Sequence, residues 1–222
     1  MPDSLNSYEA RVLGVLVEKA FTTPDQYPLT LNALLNGCNQ KSNRSPLTDY
    51  VSAEVTVALG GLRFKHIAGA STGGRAERWR HSALEHFGIS ERALAVLAEL
   101  LLRGAQARGE LRTRASRMRP IPTLDDLAET LGELQQEGLV QRIGPAAGSR
   151  AERWQQLLSE EAPEQANPVP SAPVGSTPRL QSTNSLEERV TRLEQQLAQL
   201  AQQLGAELGG GPSTAPTTQT PE

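Results

Sequence analysis

The sequence predicts a mainly α-helical protein with small β-hairpins, in which one unit is used twice and a helical tail follows. Three observations carry this. The pentapeptide Arg-Ala-Glu-Arg-Trp occurs at Arg75 to Trp79 and again at Arg150 to Trp154, 75 positions later. Each copy follows a flexible turn, Ser71-Thr72-Gly73-Gly74 or Pro145-Ala146-Ala147-Gly148-Ser149, and each turn follows a short apolar stretch, Lys65 to Ala68 or Leu139 to Ile143. Strand, glycine-bearing turn and strand make a hairpin. Upstream of both hairpins, apolar residues recur at helical spacing, and self-similarity at a fixed long offset marks a repeated architecture.

In the first unit, residues 5–87, Asn6 with Glu9 resembles a capping arrangement, and Val12, Leu13, Leu16 and Val17 give a helix to about Ala20. Thr22-Thr23-Pro24 stops it, because proline pushes the preceding residue out of helical geometry. Tyr27-Pro28-Leu29 reads as extended, and Thr30 caps a second helix carrying Leu31, Leu34 and Leu35. A polar bend from Asn39 to Pro46 leads to a third helix, about Ser52 to Phe64, with Val55, Ala58, Leu59 and Leu62 on one face. The hairpin ends the unit, with the pentapeptide as its last strand; alternation puts Arg75, Glu77 and Trp79 on one side.

The second unit, residues 88–161, repeats the order. Ser90 caps a helix with Leu94, Leu97, Leu100 and Leu101 inward, and Gly104 ends it. A helix from about Gly109 to Met118 follows, then Pro120-Ile121-Pro122, then a third helix capped by Thr123 through Leu124, Leu127, Leu131 and Leu134. Three helices followed by a hairpin is the order of a winged helix-turn-helix domain. The expectation is therefore two tandem winged helix-turn-helix domains plus a C-terminal coiled-coil helix.

The tail divides by composition. Residues 162–185 are rich in Pro, Ser, Ala and Thr and predict a disordered linker. In residues 186–208, Leu186, Val190, Leu193, Leu197, Leu200 and Leu204 recur at alternating spacings of four and three, the seam of a coiled coil that pairs two copies of the chain, the alternative being a lone amphipathic helix docked on its own domains. Residues 209–222 predict a disordered end.

Composition narrows the function. The net charge of −3 excludes a uniformly basic nucleic-acid binder, although acidic and basic residues balance through Glu161 and the deficit falls in the tail. A single cysteine, Cys38, permits no internal disulfide and suits a reducing compartment. There is no basic leader followed by an apolar run, and no apolar stretch nears the roughly 20 residues that span a bilayer. A cytoplasmic protein with no membrane partner is expected.

Several blocks resemble the YceH family of bacterial proteins: Thr22-Thr23-Pro24, Gln26-Tyr27-Pro28-Leu29, Leu31-Asn32-Ala33-Leu34, Cys38-Asn39-Gln40-Lys41 and Asn43-Arg44. In the second unit Leu100 to Gln106, Gly109-Glu110-Leu111-Arg112 and Arg117-Met118 fit as well. The resemblance covers roughly Leu5 to Leu158. It implies tandem winged-helix domains in the bacterial cytosol and no particular activity.

For a DNA-binding protein of the transcriptional-regulator kind, the leading expectation, the arginine cluster Arg103, Arg108, Arg112, Arg114, Arg117 and Arg119 is opposed within its span only by Glu110. Such a surface suits phosphates. Lys41 and Arg44 in the polar bend, and Arg75, Arg78, Arg150 and Arg153 at the hairpins, complete the candidate nucleic-acid contacts. Against it, the third helix of the second unit carries Asp125, Asp126, Glu129 and Glu133, and an acidic helix is repelled by a phosphate backbone. The alternative is a protein-binding adaptor that uses the same units. No enzyme is expected: His66, His81 and His86 lack metal-ligand spacing, no glycine loop cradles a phosphate, and no cofactor motif is present.

Overall fold

The computed structural model describes residues 4–71, 76–146, 148 and 150–159. The expected linker, coiled-coil seam and C-terminal tail lie outside them. The described chain is mostly helical, with two small antiparallel sheets of three strands each.

The first half begins with α1 (Ser7–Thr22), whose N-terminal end is closed by a reciprocal cap: the Asn6 side chain accepts the Glu9 N–H, and the Glu9 carboxylate accepts the Asn6 N–H. Strand β1 (Leu29–Thr30) leads into α2 (Leu31–Cys38), capped by Thr30 Oγ1, which accepts from Ala33 N. Helix α3 (Ser52–Phe64) buries Val55, Ala58, Leu59 and Leu62. Strands β2 (Ala68–Ser71) and β3 (Arg78–His81) follow, then α4 (Ala83–Phe87), which ends at Gly88 with φ +64°.

The second half opens with α5 (Glu91–Arg103), capped by Ser90. Then come β4 (Gln106–Ala107), α6 (Arg108–Ala115), α7 (Leu124–Gln136), capped reciprocally by Thr123 and Asp126, β5 (Val140–Ile143) and β6 (Arg153–Gln156). The strand orders β1-β3-β2 and β4-β6-β5 are the same topology. Trp79 pairs across the sheet with Leu29 and Ala70, and Trp154 with Gln106 and Arg142, so the two tryptophans occupy equivalent stations.

Several local expectations are corrected. Each sheet has a third strand beyond the hairpin, only two residues long, and two residues are too few for alternation to register. The first hairpin strand starts at Ala68 rather than Lys65, because the chain is still leaving α3: Ile67 N–H reaches back to Leu62 O, and His66 sits at φ +59°. Only the last two residues of each pentapeptide are in strand, so Glu77 and Glu152 precede the ladder and the shared face expected for Glu77 and Trp79 does not form. Helix α6 stops at Ala115, with Met118 and Arg119 N–H both turning back to Ala115 O. The short helix α4 is an addition.

The buried side chains of both halves form one continuous cluster with α1 and α5 at its centre. Gly14 lets the two helices close: a Cβ there would stand 2.9 Å from Leu102 Cδ2.

Candidate functional site

The arginines that predicted a phosphate-binding surface have internal partners. Arg44 is buried, with its guanidinium donating to both oxygens of Glu18 and to Gly37 O and Asn43 O. Arg117, from the turn after α6, donates to Glu18 Oε1 at 2.6 Å and to Glu99 Oε2 at 3.0 Å. Arg103 lies 3.3 Å from Glu99 and donates to Asn43 Oδ1. Arg114 donates to Gln106 Oε1 and Glu110, and Arg112 to the carbonyls of Ile121 and Pro122. Arg108 donates to Leu124 O, and Arg119 pairs with Glu91 while lying 4.2 Å over the Phe21 ring. The cluster is largely a set of struts between elements.

At its centre are two buried carboxylates, Glu18 on α1 and Glu99 on α5, shared among Arg44, Arg103 and Arg117. Their environments act in opposite senses. Burial pushes the Glu18 carboxyl up, but hydrogen bonds and charge from Arg44 and Arg117 outweigh it and hold the group below its usual range. Burial also pushes Glu99 up, and there it wins: Arg117 supplies one good hydrogen bond, while Arg103 Nε is near but makes no aligned one. Sequence reasoning missed both acids, because Glu18 and Arg117 are 99 positions apart and no local pattern connects them.

Of the other candidate contacts, Lys41, Arg78, Arg108 and Arg150 are exposed, Arg153 is half-buried, and Arg75 lies outside the described residues. Arg78 donates to Pro28 O. In the polar bend, Asn39 bonds both the N–H and the carbonyl of Tyr50, and Gln40 donates to Ser42. Those amides serve the turn itself. Cys38 is fully buried at the end of α2, and burial pushes its thiol up to about 12. Among the described residues no three His, Cys, Asp or Glu side chains gather to hold a metal.

A different surface stands out. The outer side of α3, opposite its buried face, carries Ala53, Val57, Gly60 and Phe64, all exposed, with Val57 at 73% and Phe64 at 86%. Val51, just before the helix, is 58% exposed. Helix α7 holds the same place in the second half, and there the matching residues are Asp125, Glu129, Gly132 and Gln136. The signal was available in the sequence: α3 shows two apolar series at helical spacing, and only one is needed for a core.

A family model described as a protein of unknown function, DUF480, matches residues 5–149. A UPF0502 protein of Pelobacter propionicus is 44% identical over 203 residues, covering 90% of this chain and 91% of the relative. One from Geobacter sulfurreducens is 44% identical over 199 residues, covering 88% and 90%. One from Albidiferax ferrireducens is 40% identical over 220 residues, covering 94% and 92%. The resemblance carried by the Thr22 to Arg44 and Leu100 to Met118 blocks therefore holds at family level, and the chain belongs to the DUF480 (UPF0502) family of uncharacterised bacterial proteins.

Proposed function

We propose that this chain is a non-enzymatic protein-binding module built from two winged-helix units, with the outer face of α3 as its docking surface. The observation that carries the reading is the contrast between α3 and α7. One backbone arrangement occurs twice, and the second copy presents Asp125, Glu129 and Gln136 to water at the stations where the first presents Ala53, Val57 and Phe64, with a glycine at the fourth station in both. The fold therefore does not require apolar residues there, and a contiguous exposed apolar face is the mark of an interaction surface. Support for winged-helix units comes from the repeated order of helix, short strand, two helices and two strands. Support for a non-catalytic role comes from the burial of Cys38, the one thiol.

Duplex DNA is the second reading, and one observation favours it: Arg63, Arg78 and Arg80 are exposed around α3 and β3, the helix and wing of the first unit. Two measurements separate the readings. Tagged full-length chain is expected to retain a protein partner that Phe64→Glu loses, and to show no steep salt dependence against a random duplex between about 50 and about 200 mM salt. Duplex binding that falls by orders of magnitude over that interval, and disappears on neutralising Arg78 and Arg80, overturns the protein-binding reading.

A further inference from the structure

We infer that the occupant of the α3 face is the α3 of a second copy, running antiparallel across a twofold axis; the inference rests on the protein-binding reading of that face. The exposed series Ala53, Val57, Gly60, Phe64 has spacings of four, three and four, the seam of a two-helix contact. In an antiparallel pair centred between Ala58 and Leu59, Phe64 of each copy falls on Ala53 of the other, and Val57 falls on Gly60. Every large side chain meets a small one, and the register that achieves this at one end achieves it at the other. A parallel pair sets Phe64 on Phe64 and Gly60 on Gly60, with crowding at one layer and a gap at the next. Self-complementarity about one axis is the requirement for an isologous interface.

Charge points the same way. Glu54 lies in the first turn of α3 and Arg63 in the last. Antiparallel packing brings the Glu54 end of one helix alongside the Arg63 end of its partner, with opposed helix dipoles, whereas parallel packing brings like ends together. Glu54 is held in place by the Tyr8 hydroxyl and the Val51 N–H, both of which donate to it. The corresponding face of α7, with Asp125 and Glu129, repels its own copy and does not compete. Among the described residues, no other element of the chain comes within 4 Å of where a Cβ of Gly60 would stand, so the space over it is open. A pair of helices each of 13 residues forms a contact at the small end of specific interfaces, and the expected dimer is weak.

The test is register-specific disulfide trapping in the full-length chain. Ala53→Cys and Phe64→Cys are made singly, and the two proteins are mixed under mild oxidation. The only native cysteine, Cys38, is fully buried and does not compete. The mixed disulfide between the A53C and F64C chains is expected to form at least about tenfold faster than either like pair. Like positions lie 11 residues out of register, about 16 Å along the helix, against the roughly 7 Å limit for Cα atoms bridged by a disulfide. Gly60→Leu on both chains, whose Cβ has open space around it among the described residues, is expected to abolish the mixed disulfide while leaving the circular dichroism unchanged. A dimer made elsewhere in the chain raises local concentration without creating this preference. Like-pair disulfides forming as fast as the mixed one, or no trapping at all, overturn the inference. If Phe64→Glu still releases a different protein partner in that case, the protein-binding reading survives; if it releases none, both fall.

Discussion

Glu18 and Glu99 are the same residue type, both buried and both touched by Arg117, yet their titration is displaced in opposite directions. The difference lies in hydrogen bonds. Glu18 accepts two from Arg44 and one from Arg117, while Glu99 accepts one from Arg117. A carboxylate held below its unfolded value, near about 4.3, adds stability that is present above that pH and lost as pH falls through the folded value. A carboxylate raised above it adds stability that is present below the unfolded value and lost as pH rises through the folded one. Glu18→Gln is therefore expected to destabilise the protein at pH 7 by about 3–5 kcal/mol, since it strands the buried Arg44 charge. Glu99→Gln is expected to cost far less, or to stabilise. As pH falls, the Glu99→Gln difference should close by the time the unfolded value is reached, and the Glu18→Gln difference only once pH drops below the folded value of Glu18, which is the lower of the two. Urea midpoints followed from pH 7 down through that range check this, and equal losses at pH 7 would falsify the assignment of opposite roles.

At the scale of elements, the helices other than the short α4 were legible because their signals are local. Asn6, Thr30, Ser90 and Thr123 read as caps in the sequence, and each accepts a backbone N–H at the helix start it marks. Thr123→Ala is accordingly expected to lower stability by about 1 kcal/mol, measurable as a shift in denaturation midpoint, with α7 the element that loses amide protection first. The two-residue strands β1 and β4 were not legible, because they exist only by pairing with β3 and β6 far along the chain. Nor was the fate of the arginines. A run of Arg112, Arg114, Arg117 and Arg119 looks like an open basic face until α1 and α5 bring Glu18, Glu99 and Glu91 to it. One divergence between the halves is also tertiary. In the second half Glu133 reaches from α7 to the N–H and hydroxyl of Ser90, whereas in the first half the matching station is Gly61, and Glu9 fills the space over it. Counted from the helix starts, glycine in α3 and glutamate in α7 hold the same station, and packing gives the reason.

Across the whole molecule, the halves repeat one topology without being independent of each other. Helices α1 and α5 pack together through Gly14 and Leu102, and the charge cluster ties the bend before α3 to the turn after α6. Arg11 donates to Leu102 O, Ser45 N–H donates to Leu102 O, and Leu5 N–H donates to Leu158 O at 2.6 Å, each bond crossing from one half to the other. A buried contact of this kind makes the exposure of one half costly to the other, so the two are expected to unfold together. The chain carries its own reporters, because its two tryptophans fall one in each half, at Trp79 and Trp154. With Trp154→Phe the fluorescence follows the first half, and with Trp79→Phe the second. In each variant the fluorescence transition in urea should coincide with that of far-ultraviolet circular dichroism, which reports both halves. Adding Arg117→Gln, a change in the second half, should lower the midpoint of the first-half reporter as much as that of the second, because Arg117 pairs with both Glu18 on α1 and Glu99 on α5. A first-half midpoint unmoved by Arg117→Gln, or a fluorescence transition separated from the dichroism, would mean that the ion cluster decorates the junction without joining it.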